Sequence, residues 1–362
     1  MDFLNVASLL LEVSKPTGMW EALIFGIENL VKNYGLTIIL ITLIIKVVLL
    51  PFDVYNKYIN KRNSVKMAVI QPEIEKIQKR YANNREMLNQ KTMEVYKKHN
   101  YNVMGSCFGM IINMVIPMVI FFTLLSGLNG ITAYKVQTEF ETLKTTYEQQ
   151  IGGQLVVTTV DENSVVKVKL EDGSVIDLTT ENTEKANKAV IEKYKEIREN
   201  FLWIGNIWRP DTSVDIVLDY DSYIKNSKVS SESLSADVYY TVTSPISAEY
   251  SGWNGYYILI ILSAVITYLS TQVSVWMGKL KAKKQGKPFV DAMSQNKVLL
   301  YVMPIVMALF TLFYSAMFAI YIVTGALFGL LTSPLVTIVV DKLFDKQCKK
   351  EEEKTRVSYS RK

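Results

Sequence analysis

The sequence predicts an all-α polytopic membrane protein with five transmembrane helices, a cytoplasmic helical hairpin and a small extracellular α+β insertion. Three observations lead there. Apolar residues, 49% of the 362, gather into runs near 36–52, 108–125, 256–276, 298–314 and 317–340. Each run is about the length, roughly 20 residues, that a helix needs to cross a ~30 Å hydrocarbon core, and five of them leave too little polar sequence to cover them in water. Charge alternates in register with the runs. Asn56–Met104 holds eleven Lys or Arg against four acidic residues, Gly278–Lys297 six against one, and the tail from Asp341 eight against five, whereas Leu128–Gly252 holds twelve against twenty. Basic segments stay inside, so this pattern puts the N-terminus outside and the C-terminus in the cytoplasm. The net charge of +5 thus reads as topology, and no DNA partner is expected.

Residues 1–35 are expected to form an N-terminal extracellular or interfacial segment. Met1–Leu11 lacks a basic leading region and a small-residue cleavage site, so no cleaved signal peptide is expected. From Met19 onward, Trp20, Leu23, Ile24, Ile27, Leu30 and Val31 share a helical face opposite Glu21, Glu28 and Lys32, as suits a helix lying in the outer interface. The first span covers 36–55 and closes on Pro51 and Asp53. In the segment 56–104, Met67, Ile70, Ile74, Ile77 and Tyr81 recur every three or four residues, and Leu88, Thr92 and Val95 restart the stripe after Asn83-Asn84, which predicts a helical hairpin. Gln71-Pro72 predicts a bend or a restart in its first arm.

The second span covers 105–127 and the insertion 128–252. There Val136, Phe140, Leu143, Tyr147 and Ile151 carry an apolar helical stripe outward until Gly152-Gly153 stops it. Residues 155–160, 164–170 and 174–178 read as strands, with Asp172-Gly173 as a hairpin turn. Val190, Tyr194, Ile197 and Phe201 mark an amphipathic helix, and 211–250, polar and Ser-rich, reads as extended loop. A third span at 253–276 leads through a cytoplasmic loop, 277–297, to spans at 298–315 and 317–340. The tight turn at Ser315-Ala316 makes these last two antiparallel neighbours, and a basic tail, 341–362, follows.

Lys46 stands inside the first apolar run, and a charge at helix centre costs about 2.5–3.5 kcal/mol on insertion scales. Two placements answer that cost: its stem snorkels to the inner interface, or the ammonium faces a wet cavity, since no acidic residue of the five spans is expected to pair with it. Thr42 one turn earlier, Asn113 in the second span, Thr267 and Gln272 in the third, and Tyr321 and Thr324 in the fifth are candidate lining groups for such a cavity. Each could equally hydrogen-bond between membrane helices. Met110, Met114 and Met118 recur on one face of the second span, and Met303 and Met307 stand in the fourth. Thioethers suit variable apolar ligands, and such stripes also serve as plain lipid-facing surface. Cys107 and Cys348 are placed where no useful disulfide forms. With His99 as the sole histidine, no metal site is expected.

Several stretches resemble the YidC family of membrane insertases, relatives of the mitochondrial Oxa and chloroplast Alb proteins. GLTIILITLIIKVVLLPF (Gly35–Phe52) is similar to the family's first core span, and KMAVIQPEIEKIQKRY from Lys66 to its cytoplasmic hairpin with Lys-Met and Gln-Pro signatures. NVMGSCFGMIINMVIP (Asn102–Pro117) resembles the entry to its second core span, FLWIGNIWRPD (Phe201–Asp211) its Phe-Leu-Trp motif, and Tyr301–Tyr321 its final spans. Lys46 stands where arginine is usual, which keeps the charge but loses the fork of donors, and Asn113 stands where glutamine is usual.

The resemblance implies a bacterial plasma-membrane insertase and chaperone, not an enzyme and without cofactors. Its hydrophilic groove, at Lys46, Thr42, Asn113, Thr267, Gln272, Tyr321 and Thr324, would receive polar tails of nascent membrane proteins. The methionines would form an apolar slide, and Met67, Gln71 and Pro72 would stand in the hairpin that receives clients. A ribosome and the Sec translocon are the partners it suggests, with the lipid bilayer as medium. Against it stand a small-solute or proton-coupled transporter, although no internal repeat is found, and an assembly factor that inserts nothing.

Overall fold

The computed structural model describes residues 15–99, 103–160, 163–284 and 297–360. The expectations for Met1–Leu11, for most of the 277–297 loop and for the last two residues lie outside them. The chain is mostly helical. Stretches Tyr34–Asn63, Met118–Ile151, Ile258–Leu280 and Ala316–Lys346 are long and apolar enough to cross a membrane, and Tyr301–Phe313 is a shorter apolar helix. The chain folds as two compact units, one of Met1–Leu43, Thr123–Thr271 and Ala292–Leu327, the other of Ile44–Phe122, Gln272–Asp291 and Phe328–Lys362.

In the first unit, helix α1 (Met19–Val31) buries Ile24 and Phe25 and ends on Lys32 in the left-handed region, whose N–H closes on the Glu28 carbonyl. Helix α2 (Tyr34–Arg80) begins here. After α3 (Arg85–Lys98) comes α4 (Val103–Ile151), which runs without a break from the second apolar run into the insertion. Gly127 of α4 lets α1 approach, because a Cβ there would stand 2.8 Å from the Trp20 Cβ. The expected stripe of Val136, Phe140, Leu143, Tyr147 and Ile151 is buried throughout, and α4 stops at Gly152, whose φ of 74° suits a residue without a side chain.

Strands β1 (Gln154–Val160), β2 (Asn163–Lys169) and β3 (Val175–Asp177) form an antiparallel sheet in that order. Leu155 is paired with Val168 and both are buried, so their face of the sheet is the core face. Helix α5 (Thr180–Ile197) buries Ala186, Val190 and Tyr194, but it ends before Phe201, which the sequence reading placed on its stripe.

The expectation of extended loop across 211–250 is wrong: the segment holds α6 (Tyr220–Ser227) and α7 (Ala236–Glu249). Both carry side-chain caps. Asp219 accepts from the Ser222 N–H at 2.9 Å and Ser235 from the Val238 N–H at 3.3 Å. Helix α7 packs on α5 and on β1 and β2 through Val238, Tyr239, Val242 and Ile246. The Tyr239 ring lies 5.0 Å from Phe140 and 4.9 Å from Tyr223, and its hydroxyl donates to the Leu218 carbonyl at 2.8 Å. Burial first, and then the nearby Glu139 charge, push that phenol well above its ordinary range, so it stays a donor. Helix α8 (Ile258–Lys284) and α9 (Lys297–Phe313) are tied by a buried Ser263–Thr311 hydroxyl pair at 3.0 Å.

In the second unit, α2 and α3 form the expected hairpin. Ile70, Ile74 and Val95 make its core, with Met67, Ile77 and Tyr96 packed around them. Asn84 caps α3 by accepting from the Met87 N–H at 3.0 Å. Helix α2 does not restart at Pro72, nor stop at Pro51; both prolines lie inside it. The last helix, α10 (Ala316–Ser360), likewise runs through Pro334 and on past its apolar stretch.

Candidate functional site

The second unit carries charged residues along one face of α2 where its apolar stretch ends. Lys46, Asp53 and Lys57 of α2 are spaced by seven and four, and on a 3.6-residue helix seven or eleven residues return to within about 20° of the same direction. Lys46 is half-buried and Asp53 is exposed. Farther along, the Lys57 ammonium donates to the Ser333 carbonyl at 3.0 Å, the Ser333 hydroxyl at 2.9 Å and the Thr337 hydroxyl at 2.9 Å of α10. Lys61 bonds Asp341 at 2.7 Å and lies over the Phe344 ring, which also meets Tyr58. These half-buried bonds spend the two inner lysines on α10, while Lys46 and Asp53 remain with no such hydrogen bond described.

The other expected groove residues are divided between the units. Thr42, Thr267, Tyr321 and Thr324 belong to the first, and Lys46, Asn113 and Gln272 to the second. Thr42 is fully buried, and its hydroxyl donates to the Ile38 carbonyl of its own helix at 2.6 Å. Thr267, Gln272, Tyr321 and Thr324 are half-buried, with the Tyr321 ring beside Phe318. The side chains of Met110, Asn113 and Met114 lie outside the described residues. Met118 and Met303 are exposed and Met307 half-buried. In the hairpin Met67 joins the core, Gln71 is exposed with its amide on Glu75 at 3.3 Å, and Pro72 is exposed.

Sequence reasoning missed what the Phe201–Asp211 segment does. Asp211 is fully buried and its carboxylate accepts from the Trp203 indole at 3.1 Å, the Tyr256 N–H at 2.9 Å and the Leu259 N–H at 2.6 Å, the last in the first turn of α8. A carboxylate there suits the positive end of the helix. Gly255 makes room, since a Cβ on it would stand 2.0 Å from Asp211 Oδ1. Asn254, fully buried, accepts from the Asn206 N–H at 2.7 Å and donates to the carbonyls of Asn206 and Pro210 at 3.0 and 2.8 Å.

The same segment meets α10, whose Ala316 and Met317 N–H groups donate to the carbonyls of Arg209 and Ile207 at 2.7 and 3.1 Å, and Trp208 lies 5.0 Å from Tyr34 at the start of α2. Beside it, Lys135 of α4 binds both Glu28 and Glu199. One segment therefore fastens the ends of α2, α8 and α10. The sequence did carry a signal: a buried Asp needs donors, and the polar loop just before Ile258 supplies the free amides of a helix start.

Four helices long and apolar enough to cross a membrane, in a mostly helical chain, make this a polytopic helical membrane protein. The profile of the family described as 60Kd inner membrane protein matches residues 26–342. The chain belongs to that family, which takes in the YidC, Oxa and Alb proteins. Proteins named membrane protein insertase YidC are similar to it over part of its length. That of Fusobacterium nucleatum subsp. nucleatum is 38% identical over 101 residues, 28% of this chain and 47% of the relative. That of Clostridium tetani is 36% identical over 108 residues, 29% and 47%, and that of Clostridium perfringens 39% over 111, 30% and 44%. The match thus spans about half the length of these relatives.

Proposed function

We propose that this chain is a membrane protein insertase that carries short polar segments of client proteins across the bilayer and releases their apolar helices into lipid. The observation behind this reading is the Lys46–Asp53 stripe, because charge on an apolar helix is tolerated where water reaches it. Five spans with the N-terminus outside and the C-terminus in the cytoplasm follow from the charge pattern. In that arrangement the sheet and α5 to α7 face the exterior, and the hairpin and the end of α10 face the cytosol. A client tail enters from the cytosolic side, meets Lys46, and its apolar segment partitions past Met118 and Met303 into lipid. The hairpin, with Met67, Gln71 and Pro72, receives the client, and a ribosome and the Sec translocon act beside it.

The test is site-specific photocrosslinking from positions 42, 46 and 113 during translation of a short membrane protein. Adducts to the nascent chain are expected at 46 and 113, with fewer from 42, which is fully buried. Their absence everywhere, with the chain folded in the membrane, overturns the proposed route. Labelling of cysteines placed at 83 and 173 by an impermeant maleimide, from the inside and the outside respectively, tests the orientation.

A further inference from the structure

Resting on the insertase reading, we propose that Asp53 is a specificity-determining residue, which tempers the Lys46 charge so that client tails of low net charge are accepted in preference to strongly acidic ones. The helix itself makes the argument. Seven residues bring Asp53 to within about 20° of the direction of Lys46 and about 10 Å along the axis, so wherever water and a client tail reach Lys46 from that side they reach Asp53 too. No other part of the described protein covers Asp53, which is exposed. Of the cations farther along the helix, Lys57 is bound by Ser333 and Thr337, and Lys61 by Asp341.

What a passing tail meets is therefore a lysine and a carboxylate in sequence along one helix face. A lone ammonium attracts acidic tails and repels basic ones. An ammonium followed by a carboxylate presents a much weaker field at a distance, while offering a local counter-charge to either sign. Charges separated by about 8–10 Å in a partly wetted site change a charged ligand's preference by roughly threefold for each sign of tail, hence about tenfold in the ratio of the two.

The experiment uses the purified full chain in proteoliposomes and single-span clients that differ only in a short N-terminal tail, bearing two acidic or two basic residues. Protease protection reads the yield of each. For Asp53→Asn the ratio of acidic-tail to basic-tail yield is expected to rise about tenfold, and for Asp53→Glu, which keeps the charge, to stay near the parent's. An Asp53→Asn ratio equal to the parent's, in a protein that still inserts both clients and loses yield on Lys46→Ala, overturns the role of Asp53 and leaves the insertase reading standing. Failure of the parent chain to insert either client overturns the insertase reading itself, and this proposal with it. A folded Asp53→Asn protein whose ratio moves toward basic tails also refutes the proposal.

Discussion

Replacing Asp211 by alanine removes the acceptor of three donors at once. The carboxylate is fully buried and takes the Trp203 indole N–H and the backbone N–H groups of Tyr256 and Leu259 at 2.6 to 3.1 Å. A hydrogen bond to a charged group contributes about 1.5–3 kcal/mol, and a buried donor left alone costs about 1–3 kcal/mol. Water entering the vacated space can serve the donors in part, so we expect a loss of about 3–5 kcal/mol rather than the full sum. At about 2 °C per kcal/mol for a unit of some two hundred residues, the midpoint of thermal unfolding in detergent should fall by about 6–10 °C. Asp211→Asn keeps one acceptor oxygen and should lose about half as much. Exposed Asp215 provides the control, and its alanine variant should stay within about 0.5 kcal/mol of the parent. A midpoint for Asp211→Ala within a degree of the parent, or an asparagine variant worse than the alanine one, would show that the knot is not held by this carboxylate.

Further outcomes follow from the other contacts. Tyr239→Phe keeps the ring stack but removes the donor to Leu218, and should cost about 1 kcal/mol in the same melts. Lys57→Met keeps the stem and loses the ammonium, so amide exchange in α10 around Ser333–Thr337 should quicken by about tenfold, as hydrogen–deuterium mass spectrometry would show. In the hairpin, hydrogen bonds from Lys98 and then His99 hold the Glu73 carboxyl below the usual carboxylate range. Its folded value lies below its unfolded one, so its stabilisation is present above the ordinary carboxylate range and is lost as pH falls through the lowered value. Proteolysis at Asn83-Asn84 should accelerate in acid, and Glu73→Gln should show that faster cleavage already at neutral pH.

The hairpin was legible because its signal is local: Ile70, Ile74 and Val95 recur at helical spacing, and those residues form its core. The sheet was legible for the same reason, as Val168 stands between Lys167 and Lys169 and Asp172-Gly173 marks the turn. Helices α6 and α7 were hidden by composition. Their serines and aspartates suggest loop, yet Asp219 and Ser235 are caps, and Val238, Val242 and Ile246 already carry a four-residue repeat. At the candidate site, Lys46 stood out as a charge among apolar residues. Asp53 did not, because Pro51 reads as the end of a span, whereas the helix continues through it and returns the carboxylate to the lysine's face. The bonds from Lys57 and Lys61 to α10 span some 280 residues of sequence, and no periodicity within either helix reports such a pairing.

The order in which the chain leaves the ribosome gives the Phe201–Asp211 segment a consequence of its own. Ile207, Arg209 and Asp211 are synthesised before Leu259 and well before Ala316 and Met317, which they bind. The older segment offers its oxygens first, and Asn254, made later, binds the Asn206 and Pro210 carbonyls before α10 is made. A helix that enters the bilayer one turn too deep or too shallow finds its leading amides out of register with those waiting oxygens. The protein thus carries, in a segment made before α8 and α10, the acceptors for the leading amides of both.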